Sequence, residues 1–124
     1  HDSPVQNTAR HTARPVELAG QTIAKWRVVV VMLAAANRDP AVFTDPARYD
    51  VTRPNARDHL AFSAGAHYCL GAALARLEGE IALRMLFDRY PTLGLTAPPQ
   101  RRPTRILRGW ATMPVRLEAG LPIS

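Results

Sequence analysis

The chain has 124 residues, 47% hydrophobic and 21% charged, the balance of an ordinary globular domain and not of a disordered segment. Its longest apolar run, Val28 to Ala36, is nine residues, well short of the roughly 18 that span a bilayer, so this chain offers no membrane segment. The net charge of +6 is carried mostly by arginines, scattered apart from Arg101, Arg102, Arg105 and Arg108, without interleaved aromatic pairs. That pattern argues against a nucleic-acid site and suits solvated surface or a basic face for an acidic protein partner.

The sequence opens on His1-Asp2-Ser3-Pro4, with neither Met nor a signal pattern, and reads as cut from something longer. Thr8, Arg10 and Thr12 alternate with smaller residues as in a strand. Val16–Ala19, Gly20-Gln21 and Thr22–Ala24 predict a hairpin, and the β-branched run Val28–Val31 a buried strand. Met32–Ala36 turns helical and stops at Asn37-Arg38-Asp39-Pro40. From Pro40 to Leu60, prolines among polar residues predict a long irregular segment, a kind of loop that is often functional.

The clearest helix follows. Leu70, Leu74, Leu77, Ile81 and Met85 form one apolar face, and Arg76, Glu80, Arg84 and Asp88 alternate in sign on another. Gly79 costs this helix about 1 kcal/mol relative to alanine, and Pro91 ends it. Beyond Pro98-Pro99 and a basic stretch, Ile106-Leu107 and Met113–Leu117 are strand candidates.

Cys69 is the only cysteine, which excludes an intrachain disulfide and a multi-cysteine zinc centre and suits a reducing, cytoplasmic setting. It stands at the start of the long helix, where unpaired N–H groups and the positive end of the helix dipole favour an anion. A thiolate there can serve as metal ligand or nucleophile. Gly65 and Gly71 flank it and permit tight turns and the close approach of a flat ligand. Three readings stand at this point: a buried small hydrophobe, a nucleophile with His67 as base, and a metal ligand.

The run Phe62-x-x-Gly65-x-His67-x-Cys69-x-Gly71, followed by Leu74-Ala75-Arg76, resembles the haem-binding loop of the cytochrome P-450 family, a family in which a cysteine thiolate holds the iron. The resemblance runs from Ser3 to about Leu117. Ser3–Gln6 is similar to the segment after the family's ExxR helix, and Ala35–Pro40 to a stretch typical of soluble bacterial members. Phe43-x-x-Pro46-x-Arg48-Tyr49 resembles the meander, and Gly109-Trp110-x-x-Met113-Pro114-Val115 the final strand hairpin.

The implied fold is α+β and mainly α, the carboxy-terminal third of one P-450 domain: short β hairpins, meander, cysteine loop, long helix and terminal β hairpin. Residues 1–124 would be the carboxy-terminal part of that domain, incomplete at the amino-terminal end. The implied function is that of a monooxygenase that inserts one atom of O2 into an organic substrate with electrons from a redox partner. Cys69 would be the proximal ligand of heme b (iron protoporphyrin IX), and its electron donation helps cleave the O–O bond. His67 and Arg10 would pair with the haem propionates, Phe62 would pack near the sulfur and limit water access, and Gly65 and Gly71 would shape the loop. Val5, Gln6, Ile106 and Leu107 fall where relatives line the substrate pocket. Arg76 would face a ferredoxin-type or flavoprotein electron donor. Arg48 is structural, completing the network with the ExxR pair.

Two positions depart from the family pattern: Ser63 stands where glycine is common, and Trp26 occupies a turn position where relatives usually carry glycine after a lysine. The ExxR motif, the distal helix with its acid-alcohol pair and most of the substrate pocket would lie outside these residues. The fragment alone is therefore expected to be inactive and poorly folded. The other reading is a truncated or decayed non-catalytic product, acting at most as a haem-binding or interaction module.

Overall fold

The computed structural model describes residues 3–104 and 107–118. It divides into two compact units, His1–Ala61 with Thr104–Arg108, and Phe62–Pro103 with Gly109–Ser124.

In the first unit, β1 (Thr8–His11) pairs antiparallel with β4 (Val28–Val31), with Arg10 opposite Val29. The hairpin of β2 (Val16–Leu18) and β3 (Gln21–Ile23) is inserted between them. Its two-residue loop, Ala19-Gly20, has φ of 50° and 77°, the positive pair that matches the twist of a tight hairpin.

Thr12 joins the two ladders. Its N–H donates to the Arg27 carbonyl (3.0 Å) and its carbonyl accepts from the Trp26 N–H (2.8 Å). Its hydroxyl donates to the Ala24 carbonyl (2.7 Å) and accepts from the Arg27 N–H (2.9 Å). With every polar group engaged, Thr12 can be buried at low cost.

These bonds hold Trp26 at φ +64°, in the left-handed region. A bulky residue thus holds a conformation that favours glycine, and its exposed ring lies under the Lys25 ammonium at 4.7 Å. A left-handed non-glycine residue costs about 1–2 kcal/mol, and glycine's extra chain entropy costs about 0.5–1 kcal/mol. In the intact protein, Trp26→Gly should therefore raise the unfolding free energy by up to about 1 kcal/mol, read as a higher denaturant midpoint at unchanged m value. Trp26→Ala, which removes the ring but keeps a Cβ, should give no such gain.

After β4 comes the one-turn helix α1 (Leu33–Ala36), with Leu33 buried and Asn37 closing its carboxy end. The segment from Pro40 to Leu60 is irregular, as expected, except for a single 3-10 turn at Ala56–Asp58. It is nonetheless organised by side chains that bond to backbone. The Arg53 guanidinium donates to the carbonyls of Thr44, Asp45 (3.1 Å) and Arg48 (3.3 Å), and Asn55 Nδ2 to that of Val42 (2.7 Å). The Thr52 hydroxyl (2.7 Å) and N–H (2.9 Å) donate to the Asp50 carboxylate. Those bonds, with the charges of Arg48 and Arg53, hold Asp50 below its ordinary carboxylate range. Their support is complete above the ordinary Asp value and is lost as pH falls through the lowered one.

Asn37 carries more than a helix end. It is buried, and its Oδ1 accepts from the Leu60 N–H at 2.6 Å. Asn37→Ala would leave that half-buried N–H without its acceptor, a cost of about 1–3 kcal/mol. Denaturant unfolding of the intact protein measures it.

In the second unit, α2 (Ala72–Arg89) is the long helix, unbroken at Gly79. It starts two residues later than the apolar spacing suggests. Gly71 is its N-cap, and Leu70 lies outside it, fully exposed. The rest of the expected apolar face is real in spacing but unpacked: Leu74 is 59% exposed, Leu77 54%, Ile81 49% and Met85 67%. On the charged face, Glu80 pairs with Arg84 at 3.9 Å.

The terminal hairpin differs from expectation. β5 (Thr92–Leu95) pairs with β8 (Val115–Glu118), and β6 (Gln100–Arg101) with β7 (Trp110–Thr112), so the two ladders are nested. The first arm therefore begins directly after α2 and not at Ile106-Leu107. Leu107 forms only an isolated bridge with Val5, and Ile106 lies outside the described residues. The α+β class holds, but not the mainly α balance. One long helix and the one-turn α1 stand beside eight short strands among the described residues.

Candidate functional site

The loop before α2 is built by local hydrogen bonds. Gly65–His67 forms one 3-10 turn, and the Tyr68 N–H donates back to the Gly65 carbonyl at 3.0 Å. The Cys69 N–H donates to the Phe62 carbonyl at 2.8 Å and closes the loop, while the Cys69 carbonyl accepts from the Ala72 N–H at 3.2 Å. Both polar backbone groups of Cys69 are thus used within the loop. Its side chain is exposed in this chain and not in a disulfide.

Two loop residues take positive φ, Ser63 at 63° and Gly65 at 65°. At Gly65 the conformation requires glycine or a strained substitute. At Ser63 it gives the physical reason for a glycine preference, which the serine meets at a cost of about 1–2 kcal/mol. Gly71 is different. Its φ of −85° suits any residue, and an added Cβ would come no nearer than 4.0 Å to Cys69 Sγ. Nothing in this chain's own packing demands glycine there.

The donor set can be tested against a metal. Among the described residues no group of three or more His, Cys, Asp or Glu side chains could hold an ion. A metal that brings most of its ligands with it, as iron in a porphyrin does, is compatible with a single thiolate from these residues. A soft thiolate, an open sulfur and glycines at positions 65 and 71 fit a flat macrocycle carrying such a metal.

Around the loop, the Phe62 ring is half-buried. The Tyr68 ring lies 6.4 Å from it at a tilt of 58°, and the Arg76 guanidinium stands over it at 4.8 Å. His67 is exposed at the end of the 3-10 turn. No hydrogen bond joins it to the Cys69 sulfur among the described residues, so the nucleophile-base reading lacks its first geometric requirement.

The other candidates belong to the first unit. Arg10, in β1, is half-buried and donates through Nη1 to Thr8 Oγ1 (2.6 Å) and to the Ala9 carbonyl (2.8 Å). Val5 bridges Leu107, the Arg108 N–H donates to the Pro4 carbonyl (2.7 Å), and the Gln6 carbonyl accepts from Ala34 (3.1 Å). The Gln6 amide bonds the Ser3 carbonyl. Three of the four expected pocket residues, Val5, Gln6 and Leu107, are thus brought together.

Asn37, Phe43, Arg48, Tyr49 and His59 line a cavity of 340 Å³, and Asn37 Nδ2 has no hydrogen-bond partner. Sequence reasoning passed over Asn37, Arg53 and the Tyr68 ring. An asparagine after a short helix signals a cap, but nothing in the sequence marks its amide as buried.

The family model described as Cytochrome P450 matches residues 1–118. The chain is 62% identical over 116 residues to cytochrome P450 140 of Mycobacterium tuberculosis, covering 94% of this chain and 26% of that protein. It is 46% identical over 119 residues to 6-deoxyerythronolide B hydroxylase of Saccharopolyspora erythraea, covering 94% of this chain and 29% of that one. The crystal structure of CYP108D1 from Novosphingobium aromaticivorans superposes with a TM-score of 0.89 at 43% identity, covering 95% of this chain and 28% of that one. The chain therefore spans under a third of the length of these relatives.

Proposed function

The chain belongs to the cytochrome P450 family, and on that premise we propose that it is the haem-binding, carboxy-terminal part of one monooxygenase domain. The domain would insert one atom of O2 into a small organic substrate. The observation that carries this reading is Cys69 itself: an exposed sulfur on a loop whose backbone bonds are closed, with a glycine at position 71 that this chain's packing does not require.

Cys69 would hold the iron of protoporphyrin IX. When bound, the haem supplies dioxygen activation, which thiolate ligation favours. The protein's own residues do the rest. Gly65 gives the loop its turn, and Gly71 leaves the sulfur side open to the flat ring. His67 and Arg10 would neutralise the propionates, for which Arg10 would exchange its bonds to Thr8 and Ala9 for a charged partner. Phe62 would keep water from the sulfur.

Val5, Gln6, Ile106 and Leu107 would line the substrate pocket, a role that the Val5–Leu107 bridge supports. In the 340 Å³ cavity, the unpartnered Asn37 amide and Arg48 offer donors to the ExxR carboxylate of the longer protein. Arg76 would face the electron donor, ferredoxin-type or flavoprotein. No helix among the described residues is long and apolar enough to cross a membrane. The resemblance of Ala35–Pro40 to soluble bacterial members supports a cytoplasmic protein.

The intact protein should carry one iron protoporphyrin IX per chain. The haem should extract whole into acidified organic solvent, because a bond from Cys69 to the iron and ion pairs to the propionates leave no covalent link between these residues and the macrocycle. Absence of haem would overturn the assignment. The exposed apolar positions of α2 favour a second statement, that these residues alone are catalytically inactive.

A further inference from the structure

The Arg76 guanidinium lies over the Phe62 ring at 4.8 Å, and the Tyr68 ring packs at 6.4 Å. Arg76 is on the second turn of α2, Phe62 is the first residue of the cysteine loop, and the Phe62 carbonyl accepts the Cys69 N–H at 2.8 Å. An arginine on an exposed helix face is free to extend into water. Here its planar cation lies on a half-buried ring instead, an attraction that strengthens as water is excluded.

We propose that Arg76 is a positioning residue for the thiolate site, holding the Phe62 ring in place through this stack. The proposal rests on the haem-thiolate reading above, in which Phe62 keeps water from the sulfur. It assigns Arg76 a role inside the protein, separate from any docking of an electron donor.

The sign of one measurement separates the possibilities. Ferric iron, a porphyrin dianion and a thiolate sum to zero, and reduction makes the centre negative. Water admitted to the sulfur stabilises the reduced, charged form and raises the reduction potential. Loss of a nearby cation, acting by its charge alone, lowers it.

If Arg76 acts by holding Phe62, Arg76→Met in the intact protein shifts the haem potential positive. Arg76→Lys, which loses the planar stack but keeps the cation, gives a positive shift at least as large, because no lost charge opposes it. In a Phe62→Leu background, Arg76→Met adds no further positive shift, because the ring it held is gone.

A negative shift overturns the proposal in favour of a bare charge effect. An unchanged potential with weaker binding of the electron donor overturns it in favour of docking alone, and no change in either leaves Arg76 an ordinary surface residue. Failure of the underlying reading is distinguishable. It appears in the unsubstituted protein, as the absence of a thiolate-ligated haem spectrum.

Discussion

Expressed alone, the 124-residue chain should unfold without a cooperative transition and should bind a hydrophobic dye such as ANS. The reason is the size of its core. Leu33, Phe43 and Ala72 are the buried hydrophobic residues among those described, while α2 presents Leu74, Leu77, Ile81 and Met85 to solvent. Fully burying one such side chain is worth about 1.5–3 kcal/mol, and ordering each residue costs about 1–2 kcal/mol of backbone entropy. With most of the apolar face unpaid for, compactness without fixed packing is the expected state. A calorimetric transition near 0.7 kcal/mol per residue, the usual specific enthalpy of a folded domain, would refute this. In the intact protein, hydrogen exchange should show α2 protected.

The second large effect is at Cys69. In the intact protein, Cys69→Ser should abolish the red-shifted Soret band of the reduced, carbon-monoxide-treated form and reduce O2-dependent turnover to background. Serine keeps the size and the loop's backbone bonds but replaces a soft thiolate with a hydroxyl that iron binds poorly. The loop itself should survive, because the bonds from Cys69 to Phe62 and Ala72 are made by main-chain atoms. His67→Gln should behave differently. It should weaken haem retention, by about 10–100-fold if it acts as the outer partners of metal sites do, and leave the band of the haem that remains in place. Turnover retained in Cys69→Ser would mean that the ligand lies elsewhere.

How far the sequence reached depended on how local each feature is. The cysteine loop was legible because its geometry comes from neighbours. Gly65 supplies the positive φ, and the bond from Cys69 to Phe62 spans seven residues. Trp26 and Ser63, flagged as departures from glycine, both sit at positive φ, so those two expectations identified real backbone demands.

The start of α2 was misplaced because Leu70 continues the apolar spacing, whereas Gly71 is the cap that sets the helix start. Strand β5 was missed because Thr92–Leu95 follows Pro91 at once and includes Gly94, two residues that read as a turn. The role of Arg53 was invisible for another reason. A loop arginine looks like solvated charge, and only the folded chain shows it bonding three carbonyls of its own segment. The partners of the α2 face could not be read at all, because the described residues do not include them.

Whether the Cys69 sulfur holds a haem iron is read from the difference spectrum of the intact, unsubstituted protein, reduced and exposed to carbon monoxide. A Soret band displaced strongly to the red is expected, the signature that thiolate ligation of the iron would give. A band at the shorter wavelength typical of a neutral nitrogen ligand, or no haem band, would contradict it.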